Sequence, residues 1–290
     1  MSEGSVHFEG HAPSKVASHS DDRAKSAPPQ RHAVRLRSIV FSYRTAHTPI
    51  AVLGGVSTEF ACSSISSVVG PSGCGKTTLL NLVAGLLEPD EGAVERTFGG
   101  HRCGYVFQAP SLVPWLRVAE NALLGAEISG VQSEAVMHRC DMLLRRFGLK
   151  GFERAYPAAL SGGMQQRVSI IRAALSGAKV LLLDEPFSNS DFLFRLELQR
   201  EVSRLVEEEN LAAVLVTHDI EDAVRVSDKV IVLTNRPAKV KGELSITVPR
   251  SQRLSDDPSS VRLIAPYLEH IWKLLKSADV PKNPVDGALA

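Results

Sequence analysis

Gly70-Pro71-Ser72-Gly73-Cys74-Gly75-Lys76-Thr77-Thr78 places glycines, a lysine and a hydroxyl at the spacing G-x-x-x-x-G-K-T. Glycines let a backbone approach an anion closely and turn several N–H groups inward. A lysine in that register reaches phosphate oxygens, and the Thr77 hydroxyl suits Mg²⁺. The chemistry implied is a nucleoside triphosphate held by its phosphates. Far downstream, Asp184 and Glu185 end the apolar run Val180-Leu181-Leu182-Leu183. An aspartate at such a strand end holds Mg²⁺ through water, and a glutamate one residue on polarises an attacking water as general base. His218 closes a further apolar run; a lone histidine is usually structural, but one at such a strand end can contact a γ-phosphate and hold the base or the water in place.

Other candidates have two readings each. Gln108 ends a candidate strand at 102–107 and can carry its amide to Mg²⁺ or to the attacking water. Tyr43 lies upstream of the phosphate loop, where an aromatic either stacks on adenine or packs as a core or turn residue. Ser161-Gly162-Gly163 stands at the start of a helical pattern. Free N–H groups and a hydroxyl there make a second anion site, or an ordinary N-cap with flexible glycines. Cys74 is either a thiol whose alkylation blocks nucleotide or a small filler; its position predicts that nucleotide shields it. The stretch 111–118, with Pro114 and Trp115, reads as a contact surface or as a packed loop.

These residues need particular elements to position them. A short β-branched run at Ile65–Val69 predicts a strand entering the phosphate loop, and a helix follows it with Gly85 as its stop. Segments 34–41 and 52–60 read as strands of an added antiparallel layer. Helical periodicity covers 118–126 and 133–147, the latter closed by Gly148. The runs at 180–184 and 213–217 read as central parallel strands buried on both faces. An amphipathic helix runs to about Asn210, Asp219 caps a short helix, 230–233 is a strand and 243–248 an edge strand. A polar connector at 249–258 and a short helical tail around Tyr267 to Leu275 follow.

The 290 residues suffice for one large domain, and 44% hydrophobic with 22% charged residues is an ordinary globular balance. A formal net charge of +1 gives no field that points to nucleic acid. No apolar run approaches bilayer length, and no secretory segment opens the chain, so it is expected to stay in the cytoplasm. The four cysteines lack zinc or disulfide spacing. Residues 1–31, rich in Ser, His, Ala, Lys and Pro, read as a disordered tail whose histidines (His7, His11, His19) are solvated.

The order of phosphate loop, strand-end glutamine, helical lobe, Leu160-Ser161-Gly162-Gly163-Met164-Gln165-Gln166-Arg167, acidic strand, polar turn and strand-end histidine resembles the ATP-binding cassette of ABC transporters. The resemblance covers about residues 34–248. It implies an α/β phosphate-loop NTPase core with a mainly parallel sheet, an antiparallel β layer and a helical lobe at about 109–165. The cassette would span 32–248, with 249–290 as connector and helical tail. By this resemblance Tyr43 stacks on adenine, and residues 70–78 together with Ser161, Gly162, Gly163, Gln165 and Asp191 bind ATP. Thr77, Gln108 and Asp184 serve Mg²⁺; Lys76, Gln108, Glu185 and His218 serve catalysis. The serine-glycine residues act on ATP held by a second copy, so the expected assembly is a head-to-tail dimer with transmembrane permease subunits and, indirectly, an extracytoplasmic solute-binding protein. It would lie peripherally on the cytoplasmic face of the inner or plasma membrane.

Finer stretches are similar to importers of nitrate, sulfonates and taurine: 107–116, Asn235-Arg236-Pro237-Ala238-Lys239-Val240, and Ile271-Trp272-Lys273-Leu274-Leu275. One turn departs from the family, with Ser188-Asn189-Ser190-Asp191 replacing small-Ala-Leu-Asp. Because this turn is expected across the dimer interface, the change bears on coupling between the two ATP sites. Alternatives are a non-transport ABC switch, a binding-only cassette with weak hydrolysis, and a phosphate-loop kinase, against which the serine-glycine motif argues.

Overall fold

A computed structural model describes residues 32–45, 48–97, 103–188 and 192–277. The tail at 1–31 and Asp191 lie outside the described residues.

Two sheets form the framework. The first joins β1 (His32–Tyr43), β2 (Ile50–Ala61) and β4 (Glu91–Arg96) in the antiparallel order β2-β1-β4. The second contains β3 (Ile65–Val69), β5 (Cys103–Val106), β6 (Val180–Asp184), β7 (Ala212–Val216), β8 (Lys229–Leu233) and β9 (Val240–Ser245). Its order is β5-β6-β7-β3-β8-β9; all pairs are parallel except β8 with β9.

The uninterrupted apolar runs follow from burial on two faces, because alternate side chains of a strand point opposite ways. Leu181, Leu183, Ala213 and Leu215 join one core with α2 (Val118–Ile128), α3 (Glu134–Arg146), α4 (Gly162–Leu175) and α5 (Phe192–Glu208). Val180, Leu182, Ala212, Val214 and Val216 join the opposite core, against α1 (Lys76–Ala84) and the antiparallel sheet. The helices of the lobe thus share a buried cluster with the central sheet. A third cluster seats α6 (Ile220–Val226) and α8 (Ser259–Lys276) against β8 and its neighbours.

Several expectations shift. β4 carries no fully buried residue and has little apolar signal, yet it completes the antiparallel layer. The edge strand is 240–245, because Leu233, Val232 and Ile231 pair with Val240, Gly242 and Glu243, so the expected 243–248 lies too late. The polar connector contains α7 (Arg250–Arg253), and Arg253 is 1% exposed. The short tail is an 18-residue helix with Pro266 inside it. That proline masks the first half of the helix in sequence, since it forgoes one intrahelical bond.

Candidate functional site

The cavity is built at the carboxyl ends of β3, β6 and β7. β3 is buried throughout, so Gly70 leaves the sheet at a fixed place. Gly75 has φ +117°, and a Cβ there would lie 2.5 Å from Val52 Cγ1; β2 therefore backs the loop and only glycine fits. Helix α1 starts at the next residue, directing its positive end into the loop. Lys76 is 9% exposed, and its ammonium donates to the carbonyls of Gly70 at 3.0 Å and Pro71 at 3.1 Å.

Thr77 Oγ1 donates to Asp184 Oδ2 at 2.9 Å, bringing the first turn of α1 to the tip of β6. Burial pushes the Asp184 carboxyl up, Glu185 adds to that, and the Thr77 hydrogen bond and Lys76 oppose it. Glu185 has φ 50°, a left-handed conformation that costs a non-glycine residue roughly 1–3 kcal/mol. Its surroundings hold it there. The Glu185 N–H donates to Val216 O at 2.9 Å, and Ser188 Oγ donates to Glu185 O at 2.9 Å. Glu185 Oε1 accepts from the His218 N–H at 3.0 Å and lies 2.8 Å from His218 Nδ1, while Thr217 Oγ1 reaches Oε2 at 3.4 Å. The strained turn thus aims the carboxylate at the strand end that delivers the histidine.

These groups line one cavity of about 540 Å³, with Ser72, Gly73, Lys76, Thr77, Thr78, Gln108, Asp184, Glu185, His218 and Arg236 on its walls. A slightly larger cleft of about 600 Å³ lies between α5 and α7. Its arginines already have partners: Asp228 for Arg250, Leu254 O and Asp256 for Arg200, Glu201 for Arg204, and backbone carbonyls for Arg253. The smaller cavity, where glycine loop, lysine and carboxylates converge, is the chemical one. Thr77, Asp184 and Gln108 offer only oxygen donors of the hard type, and among the described residues no group of three or more His, Cys, Asp or Glu is placed to hold a metal ion. That sparse set fits Mg²⁺, which keeps several waters and takes phosphate oxygens.

Other sequence candidates stand apart from this cavity. Tyr43 is 41% exposed; its hydroxyl lies 3.2 Å from Thr78 Oγ1, and its ring meets Phe41 edge-on at 5.0 Å. Ser161 Oγ accepts from the Met164 N–H at 3.3 Å and caps α4. Ser161, Gly162 and Gly163 are absent from the cavity walls of their own chain. Gln165 turns its amide back to Pro157 O at 3.0 Å. Cys74 is 2% exposed and burial pushes its thiol up, so the thiol is protected before any nucleotide arrives.

Two features escaped the sequence reading. Gln166 Nε2 donates to Phe107 O at 3.3 Å, and Arg172 donates to Pro110 O at 3.2 Å and Ser111 O at 3.0 Å, so α4 is tied directly to both sides of Gln108. Arg236, noted only as part of a similar stretch, reaches the phosphate loop. A tertiary contact of this kind has no spacing to read.

A family model described as ABC transporter matches residues 53–188. An uncharacterized ABC transporter ATP-binding protein of Methanocaldococcus jannaschii is 34% identical over 261 residues, covering 88% of this chain and 96% of the relative. An aliphatic sulfonates import ATP-binding protein of Pseudomonas syringae pv. tomato is 40% identical over 230 residues, 79% of this chain and 95% of the relative. A solved dimeric, post-hydrolysis state of an ATP-binding cassette bound to ADP and Pi aligns with a TM-score of 0.66 at 30% identity, covering 73% of this chain and 98% of that one.

Proposed function

The chain belongs to the ATP-binding, ATP-hydrolysing subunits of ABC transporters, and from that premise we propose how its site works and what it serves. The observation that carries the proposal is a division of labour. Lys76, Thr77, Asp184, Glu185 and His218 share one cavity, while the serine-glycine end of α4 belongs to a different surface. One copy therefore offers half of each site. Two copies pair head to tail, and each triphosphate lies between the loop of one and Ser161, Gly162 and Gly163 of the other. The relative with bound ADP and Pi is itself dimeric.

Within each site the loop N–H groups and Lys76 hold the phosphates. Thr77, Asp184 and Gln108 would hold Mg²⁺, which supplies charge neutralisation on the phosphate oxygens. Glu185 takes a proton from the attacking water, and His218 keeps the carboxylate oriented through Oε1. Tyr43 stacks on adenine beside α1, and Asp191 and Gln165 support the shared site. ATP favours the closed pair because it binds both halves; its hydrolysis removes that preference. The ties from Gln166 and Arg172 to 107–111 carry the difference between states to the adjoining loop. There Asn121, fully buried, bonds Val113, Leu116 and Arg117 and leaves Trp115 75% exposed. Trp115 faces the permease.

The transported solute is a small compound such as a sulfonate, nitrate or taurine, moving inward with the help of an extracytoplasmic solute-binding protein. The stretches at 107–116 and 235–240 and the sulfonate-import relative support this. The subunit sits on the cytoplasmic face of the membrane through its permease; no helix among the described residues is long and apolar enough to cross it. Growth on an alkanesulfonate as sole sulfur source tests the substrate. Loss on gene deletion, with growth on sulfate intact, is expected; unchanged growth on the sulfonate refutes it. For the shared site, Mg-ATP should drive Glu185→Gln protein from monomer to dimer in size-exclusion chromatography, alone or in its membrane assembly.

A further inference from the structure

The turn between β8 and β9 is held from several sides. Thr234 N–H donates to Lys239 O at 3.0 Å, and Lys239 N–H donates to Thr234 Oγ1 at 2.9 Å. Ala238 N–H donates to Val52 O at 2.7 Å, and Gly54 N–H donates to Ala238 O at 2.8 Å. The turn is thereby fastened to β2, the strand that also backs Gly75. Gly54 lets the two approach, since a Cβ there would stand 3.2 Å from Pro237 Cβ.

From this fixed tip Arg236 returns over the phosphate loop. Its Nε donates to the Gly73 carbonyl, and its Nη2 lies 3.4 Å from the place a Gly73 Cβ would take. The same side chain walls the cavity that holds Lys76, Glu185 and His218. Among the described residues the guanidinium has no carboxylate partner and no acceptor other than Gly73 O. Other well-placed arginines of this chain, such as Arg146, Arg195 and Arg250, each face two carboxylates. An arginine held to a loop by one edge keeps the rest of its donor fork for a planar or tetrahedral anion.

We propose that Arg236 is a nucleotide-binding residue of the terminal phosphates: Nε braces the Gly73–Cys74 peptide, and the Nη groups donate to the β- or γ-phosphate. This rests on the ATP-binding reading of the cavity and adds a cation from outside the loop and outside the partner copy. The brace and the charge act together. The braced peptide is part of the loop itself, its Cys74 N–H donating to Pro71 O at 3.2 Å, so the guanidinium is fixed to the same loop with which it lines the cavity.

The test uses the full-length chain with Arg236→Ala, Arg236→Gln and Arg236→Lys, titrated with Mg-ATP and with AMP. Glutamine keeps a donor for Gly73 O without charge; lysine keeps the charge without the fork. A charge-assisted bond to phosphate is worth roughly tenfold to a hundredfold in affinity. Arg236→Ala and Arg236→Gln are expected to weaken Mg-ATP by at least about tenfold while AMP affinity stays within about twofold, with Arg236→Lys between them and the native chain. Mg-ATP affinity within twofold of native in Arg236→Gln overturns the phosphate role. An equal loss for Mg-ATP and AMP also overturns it, because that marks a collapsed loop. A native chain that binds no Mg-ATP would strike at the ATP reading itself and is recognised before any variant is made.

Discussion

Replacing Glu185 by glutamine isolates the proton from everything else the side chain does. The two side chains have nearly the same shape. The amide oxygen still accepts the His218 N–H that now lies 3.0 Å from Oε1, and the amide nitrogen can meet Thr217 Oγ1, now 3.4 Å from Oε2. The left-handed turn and its bonds to Val216 and Ser188 involve only backbone atoms of residue 185 and are untouched. Stability should therefore change by less than about 1 kcal/mol. What disappears is the ability to accept a proton from water, which is worth roughly 10²–10⁴ in rate, about 3–5 kcal/mol of barrier. Phosphate release under saturating Mg-ATP measures the turnover, and a fluorescent nucleotide titration measures the binding. Turnover is expected to fall at least about a hundredfold with affinity unchanged within about threefold. Turnover within tenfold of native would refute the base assignment. A parallel collapse of affinity would show that the carboxylate holds nucleotide rather than water.

Gly75→Ala puts a methyl 2.5 Å from Val52 Cγ1 at φ +117°, so Mg-ATP affinity should drop at least about tenfold, and Val52→Ala in the same chain should restore only part of it because the backbone strain persists. Full restoration would show that the clash alone mattered. Arg253→Met removes the donor that serves the Val224, Arg225 and Ser227 carbonyls at the end of α6 and the Val248 carbonyl before α7; urea unfolding should register a loss of about 3–5 kcal/mol, and a loss under about 1 kcal/mol would refute this capping role. Asp222 is 4% exposed, and burial, with Asp219 beside it, pushes its carboxyl up to about 7 from an ordinary value of 3.8. The folded chain therefore keeps a proton that the unfolded chain has released, and stability falls as pH rises from about 4 to about 7, by at most about 4 kcal/mol. Asp222→Asn should flatten that slope in urea titrations at pH 5, 6 and 7; identical slopes for both proteins would refute it.

The chemistry was legible wherever one short stretch carries a whole function. Residues 70–78 combine turn, lysine and helix start within nine positions, so their sequence alone predicts the loop and helix start that wall the cavity. Val180–Asp184 and Ala212–Val216 were legible because burial on both faces leaves an unbroken apolar run, and the polar residues at its end then stand out. β4 was not, since its partner β1 supplies the burial and its own side chains stay half exposed. The first half of α8 was hidden by Pro266, whose cost is met by packing of Ile264 and Ile271 in the third cluster.

The arginines form the instructive remainder. In sequence Arg236 belongs to a stretch noted only for its similarity and Arg253 to a polar connector, yet one walls the cavity and the other is buried beneath a helix end. Each acts on backbone carbonyls of a segment distant in sequence, Gly73 for one and 224–227 for the other. A carbonyl has no residue identity, so no pattern of side chains announces such a contact. The same holds for Arg172 and Gln166, which grip 107–111 by its carbonyls and so join the serine-glycine helix to Gln108. The parts that line the cavity are written as motifs, whereas the parts that connect one motif to another are written as long side chains on backbone oxygen. Substitutions at the second kind should alter how the motifs respond to one another more than what each of them binds.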